Sequence, residues 1–276
     1  MEYRTLMVRL ELEHENDAVL RVARELAQQC KATLIGVAAC QPLQIFYGDA
    51  YISPEVVTED RAEIETQMKR AEAQFRHAFP NGEALEWRPI IDYRPLSRCI
   101  AQQARAADIV VTAPDRGAVA AGSSRRVDIG DLVLRLGRPM MIVPDGERAW
   151  RLDNAVVGWN DTREARRAIV DALPVLKRMQ HVLVVRICGS HEIQDAQMQL
   201  QGVAAWLQRH GLTAETRAVA GGTSPDADRL AEVVDEYDAG LVVAGAYGHS
   251  RLHEWVLGGV TRNFLLNPAR TTLISH

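Results

Sequence analysis

Short apolar runs alternate with helical stretches along the whole chain. Thr5-Leu6-Met7-Val8 reads as a strand, and over 17–29 Val19, Leu20, Val22, Ala23 and Leu26 recur at helical spacing. A strand over 33–38, a charged amphipathic helix over 59–79 and a strand over 85–91 come next. Pro95 suits the first turn of a further helix. Ile109-Val110-Val111 gives a fourth strand, and a helix over 129–136 stops at Gly137 before the strand Met140-Met141-Ile142-Val143. The second half runs through the same order. Strands are expected at 155–157, 182–187, 214–219, 241–244 and 271–275, with helices over 163–179, 192–210, 225–237 and 260–266 between them.

The two halves can be laid on each other. Asn16-Asp17-Ala18 falls on Arg163-Glu164-Ala165, while Ile109-Val110-Val111 falls on Leu241-Val242-Val243 and Gly137-Arg138-Pro139-Met140 on Ala269-Arg270-Thr271-Thr272. The first copy is about 15 residues longer, and the surplus sits in 41–57, a loop rich in aromatics (Phe46, Tyr47, Tyr51). Pro144-Asp145-Gly146 marks a linker. Two domains are therefore expected, 1–144 and 152–276, each an α/β unit of five strands. Such alternation implies a doubly wound parallel sheet with helices on both faces, and the last strand of each unit is the candidate for an antiparallel edge. Ligands of such sheets sit beyond the carboxyl ends of the strands, where strand order reverses.

Charge changes the picture only by exclusion. A formal charge of −4 over 276 residues lacks the concentrated Lys and Arg that general nucleic-acid binding needs. Cys30, Cys40, Cys99 and Cys188 occur singly, without CxxC spacing, and read as reduced thiols. No apolar run approaches a membrane span and no leader opens the chain, so a cytoplasmic protein is expected.

The chemistry concentrates in GAYGHSRLHEWVLGGVT, residues 245–261. Its glycines start at the end of the fourth strand of the second copy and finish at the start of a helix. Glycine there allows positive φ and lets backbone N–H groups approach an anion. The 258–261 end adds orphan N–H groups and a helix dipole. Tight turns for close packing would use the same glycines, and spacing alone leaves both readings open. In the first copy Ala113, Arg116 and Arg126 stand where Gly245, Gly248 and Gly258 stand, and Pro114 removes a further donor. Ser123-Ser124-Arg125-Arg126 there reads as a solvated basic loop.

The G-x2-G-x9-G pattern after strand four resembles the nucleotide loop of universal stress proteins, and two such units in one chain resemble their tandem members. The resemblance spans nearly the whole chain and implies an adenine nucleotide alpha hydrolase-like, Rossmann-like fold. It also implies a binding set of Asn160, Gly245, Gly248, His249, Gly258, Gly259, Val260 and Thr261 for ATP or another adenine nucleotide. Two positions depart from the pattern: Asn160 stands where the family has an adenine-contacting aspartate, and Gly259 where it has Ser or Thr. Asn160 can still hydrogen-bond an adenine edge through its amide. The family further pairs its fifth strands, which here implies pairing of 140–143 with 271–275 inside one chain and covers an exposed edge. A homodimer beyond that is not readable.

Catalytic groups are sparse. His249 and His253 lie four apart with no acidic or cysteine partner nearby, Trp255 suits core packing, and Asp226 and Asp228 suit a helix N-terminus. Neither a Gly-x-Ser-x-Gly elbow nor a Cys/His pattern occurs. The expected function is a stress-response sensor that binds nucleotide in the second copy and signals to a protein partner. The alternatives are a nucleotide-independent protein acting through surfaces such as 41–57, and a slow nucleotide hydrolase.

Overall fold

The computed structural model describes residues 2–43, 53–80, 85–115, 126–147, 149–221, 226–246 and 268–276. The first half runs β1 Thr5–Leu10, α1 Asp17–Cys30, β2 Thr33–Cys40, α2 Pro54–Ala78, β3 Leu85–Ile91, α3 Leu96–Gln103, β4 Ile109–Thr112, α4 Ile129–Leu136 and β5 Met140–Ile142. The second runs β6 Asn154–Gly158, α5 Arg163–Leu176, β7 His181–Cys188, α6 Ile193–Arg209, β8 Glu215–Ala220, α7 Asp226–Glu236, β9 Leu241–Gly245 and β10 Thr271–Ser275. The helix expected over 260–266 lies outside the described residues.

All described strands join one sheet in the order β3-β2-β1-β4-β5-β10-β9-β6-β7-β8. Each half reads as an alternating α/β unit and is parallel throughout, so neither carries an antiparallel strand of its own. The antiparallel contact is the seam between halves, where Ile142, Met141 and Met140 face Thr272, Leu273 and Ile274. That is the pairing expected of the two terminal strands. Central strands are buried on both faces, and β4 and β9 read as nearly continuous apolar runs, as parallel sheets favour. The outermost strands blunt their free edges with charge and proline: Glu86, Arg88 and Pro89 on β3, Glu215 and Arg217 on β8.

Apolar faces of α1, α2, α5 and α6 share one core with one side of the sheet. On the other side α3 and α4 pack over the first half and α7 over the second. Long-range bonds tie the halves beside the seam. Tyr3 donates its hydroxyl to the Asp171 carbonyl (2.5 Å), Arg178 donates to the Gln29 carbonyl (3.1 Å) and Arg167 to the Gly137 carbonyl (3.5 Å). Arg21 reaches the Glu147 carbonyl of the linker (2.9 Å). Burial first, and the nearby Asp171 carboxylate second, push the Tyr3 hydroxyl well above its ordinary pKa.

Several boundaries differ from those expected of the apolar pattern. α2 begins at Pro54 because proline at the first turn and Glu55 behind it start a helix before its buried stripe does. α5 stops at Leu176 rather than 179, two residues after Pro174. β1 continues through Arg9 to Leu10, since Arg9 is paired inside the protein rather than solvated.

Candidate functional site

In each half the chain builds three strands outward and then returns to place the fourth on the other side of the first. The reversal lies between β1 and β4, and between β6 and β9. In open α/β sheets of this kind, ligands bind beyond those carboxyl ends.

At the second reversal β6 ends on Gly158 and β9 on Gly245, with Val157 beside Val243. Asn160 follows two residues after β6. Asp161 turns the chain at φ 57°, and Thr162 then caps α5 by accepting from the Ala165 N–H (3.2 Å). The Thr162 hydroxyl donates to Asn160 Oδ1 (2.8 Å), which holds the amide on the α5 side of the crevice. Glu164 is buried in the first turn of the helix. Its burial pulls the pKa up, but hydrogen bonds from its own backbone N–H, Arg163 and Thr162 outweigh that, and the carboxyl sits below its ordinary range. The start of α5 therefore already has an anion of its own chain.

Gly245 approaches that helix start closely. A Cβ at this position would lie 2.6 Å from the Ala165 nitrogen and the Glu164 carbonyl carbon, and 2.9 Å from the Glu164 Cβ. Two of these three are backbone atoms, so the neighbour has no rotamer with which to yield. The structure thus brings Asn160 and Gly245 to one helix start at one reversal point, and gives Gly245 a packing reason to be glycine. Gly248, His249, Gly258, Gly259, Val260 and Thr261 lie outside the described residues, as do His253 and Trp255.

The first half fills the same place with its own side chains. Val8 beside Val111 matches Val157 beside Val243, so Arg9 and Thr112 stand where Gly158 and Ala244 stand. Arg9 is 4% exposed; its Nε donates to Thr112 Oγ1 (2.6 Å) and its Nη2 pairs with Glu11 (3.0 Å). The crevice left beside Arg9, Glu11, His14, Pro114, Asp115 and Arg126 holds only about 50 Å³. Ala113, in the place of Gly245, is buried with its methyl group accommodated. Arg9 was not singled out by sequence reasoning, although a lone cation inside the apolar run of 5–10 was the available signal.

Among the described residues the four cysteines are free thiols and no cluster of His, Cys, Asp and Glu forms a metal site. Burial is the first cause of the raised pKa of the Cys30, Cys99 and Cys188 thiols. Asp226 and Asp228 fall in the first turn of α7. No described helix is long and apolar enough to cross a membrane.

No family model matches the chain, and no curated protein matches it. Solved structures do. A universal stress protein from Archaeoglobus fulgidus DSM 4304 superposes with a TM-score of 0.72 at 13% identity, covering 98% of this chain and 97% of its own. The fold is that of a universal stress protein. The same likeness extends to a functionally unknown protein from Pseudomonas aeruginosa PAO1 (TM-score 0.62, 12% identity, 99% of this chain and 92% of that one). A candidate universal stress protein from Pseudomonas aeruginosa UCBPP-PA14 gives the same TM-score of 0.62 at 14% identity, over 99% of this chain and 93% of its own. Coverage is nearly complete on both sides, so the likeness extends over both halves of the chain.

Proposed function

We propose that the chain is a tandem stress-response protein whose two domains, 1–144 and 152–276, have divided their roles. The second binds ATP or another adenine nucleotide at the β6–β9 reversal as a sensor, and the first is structural. One contrast carries this reading: the first crevice is occupied by the buried Arg9–Thr112–Glu11 cluster, whereas the second presents Gly158, Asn160 and Gly245. Asn160 supplies an amide that both donates and accepts, as an adenine edge requires. The glycine-rich segment 245–261 supplies backbone donors for phosphates. Nucleotide would act by linkage, stabilising one arrangement of the loop that a protein partner in the cytoplasm then reads.

The packing of Gly245 against α5 favours a second reading, in which the glycines serve close approach and the protein acts through its surfaces without nucleotide. Titration separates the two. Purified protein is titrated with ATP, ADP and AMP by calorimetry and thermal shift, alongside Gly248→Arg and Asn160→Ala. Saturable heat that both variants weaken supports the nucleotide reading. Silence at millimolar ligand in the unaltered protein removes it, and equal binding by Gly248→Arg moves the site elsewhere.

A further inference from the structure

On the helical face shared by both halves, α1 and α2 pack together, while α5 and α6 leave an open cavity between them. The cavity holds about 430 Å³, and its walls are Trp159, Ile169, Val170, Gly202, Val203 and Trp206. Small-molecule sites span roughly 300–1,000 Å³ and are mainly apolar with a few polar groups. Here the polar groups are Gln199 and the Arg166–Asp161 ion pair (2.8 Å).

Comparison of the halves explains why the space exists. α2 turns Ile64, Met68, Ala71 and Phe75 into the core. The same spacing on α6 carries Ala196, Leu200, Val203 and Leu207. Ile to Ala and Phe to Leu remove volume, and Ala to Val restores only part of it. A polar strap is missing too. In the first half Asn16, just before α1, donates to Gln74 Oε1 on α2 (3.0 Å) and draws the two helices together. Thr162, which holds the same place before α5, instead turns back to Asn160. Two indoles line the space so left, where the first half has Leu10 in place of Trp159. Trp159 is 8% exposed, and its indole N–H is buried without an acceptor among the described residues.

We propose that the α5–α6 cavity is a binding site for a small aromatic molecule, held against Trp159 and Trp206. Flat rings suit it because indole faces gain from offset stacking beyond area burial, and Gln199 with the Arg166–Asp161 ion pair gives the rim polar partners for a substituent. This site is distinct from the β6–β9 crevice and does not depend on nucleotide.

The test uses the full-length protein and 8-anilinonaphthalene-1-sulfonate as the probe, read by energy transfer from tryptophan. Gly202→Leu fills the cavity from α6, where an added Cβ meets nothing within 4 Å. Replacing a helical glycine also favours the helix, so the variant keeps its fold. Val170→Trp fills it from α5, at a position 40% exposed. Met198→Ser removes an apolar group 62% exposed on α6 and controls for probe on the outer surface. Saturable transfer is expected in the unaltered protein and in Met198→Ser. Each filling variant should weaken it at least about tenfold, the lower end of what one methylene decides in an apolar pocket, with the thermal midpoint kept. Absence of saturable transfer in the unaltered protein, or equal affinity in a folded filling variant, overturns the assignment.

Discussion

Gly245→Ala tests whether the glycine at the end of β9 is demanded by packing. The added methyl would sit 2.6 Å from two backbone atoms of the α5 start, where ordinary contact begins at 3.4 Å. Relief requires strand and helix to part by roughly 0.5–1 Å, which forfeits a quarter to a half of the dispersion energy across the gap. α5 buries Ala165, Ala168, Ile169 and Ala172. Some forty atom pairs at about 0.1–0.2 kcal/mol each then place the loss near 2 kcal/mol, within the range of about 1–3 kcal/mol for overpacked cores. Urea unfolding measures it directly, and the thermal midpoint should fall by roughly 2–4 °C per kcal/mol. The mirror substitution, Ala113→Gly, should cost only about 0.5–1 kcal/mol, through backbone entropy. If Gly245→Ala unfolds within about 0.5 kcal/mol of the unaltered protein, as a surface change would, the packing argument is wrong. A loss of nucleotide response alone would then mark Gly245 as a ligand glycine.

Three further perturbations probe the same framework. Thr162→Ala removes the α5 cap and should cost about 1 kcal/mol in urea unfolding; an unchanged midpoint would show that the Ala165 N–H finds water instead. Arg9→Met strips Glu11 and Thr112 of their buried cation and should cost about 3 kcal/mol, with part recovered in the double variant Arg9→Met, Glu11→Gln. No loss in the single variant would mean that the cluster is merely tolerated. Tyr3→Phe should cost about 1 kcal/mol at neutral pH. Because burial raises the Tyr3 pKa in the folded state, its contribution is whole below the ordinary tyrosine range near pH 10 and declines as pH rises through the folded value. Stability profiles from pH 8 to 11.5 should therefore converge for the two proteins at the alkaline end, and parallel profiles would refute the linkage.

The succession of strands along the chain and their parallel direction within each half were legible because short apolar runs alternate with helical stretches, while the pairing of the last strands was implied by the family resemblance. Helix starts were less legible. The stretch from Pro54 to Thr58 precedes the buried stripe of α2, so a reading based on apolar spacing begins late. The candidate site was legible in part. Asn160 and Gly245 were put in one set by the family resemblance, and the topology brings the strand ends that carry them together. Contacts between residues far apart in the chain were not. The close approach of Gly245 to Glu164 depends on how α5 lies over β9, and the sequence records no trace of that distance. Arg9 could be recognised as odd but not explained, since Thr112, the partner of its Nε, lies 103 positions away. The α5–α6 cavity arises from a volume difference between two helices that apolar patterning scores as equivalent.

The β5–β10 seam has a consequence for how variation is tolerated. When two identical chains meet across a two-fold axis, every substitution appears twice and must suit both sides of the interface at once. Here the two sides are different stretches of one polypeptide, and tethering keeps them together at any dilution. A change on one side is met by an unchanged partner. One flank of the sheet is thus free to seal its crevice with an arginine while the other opens space beside a tryptophan, and neither alteration is imposed on its counterpart.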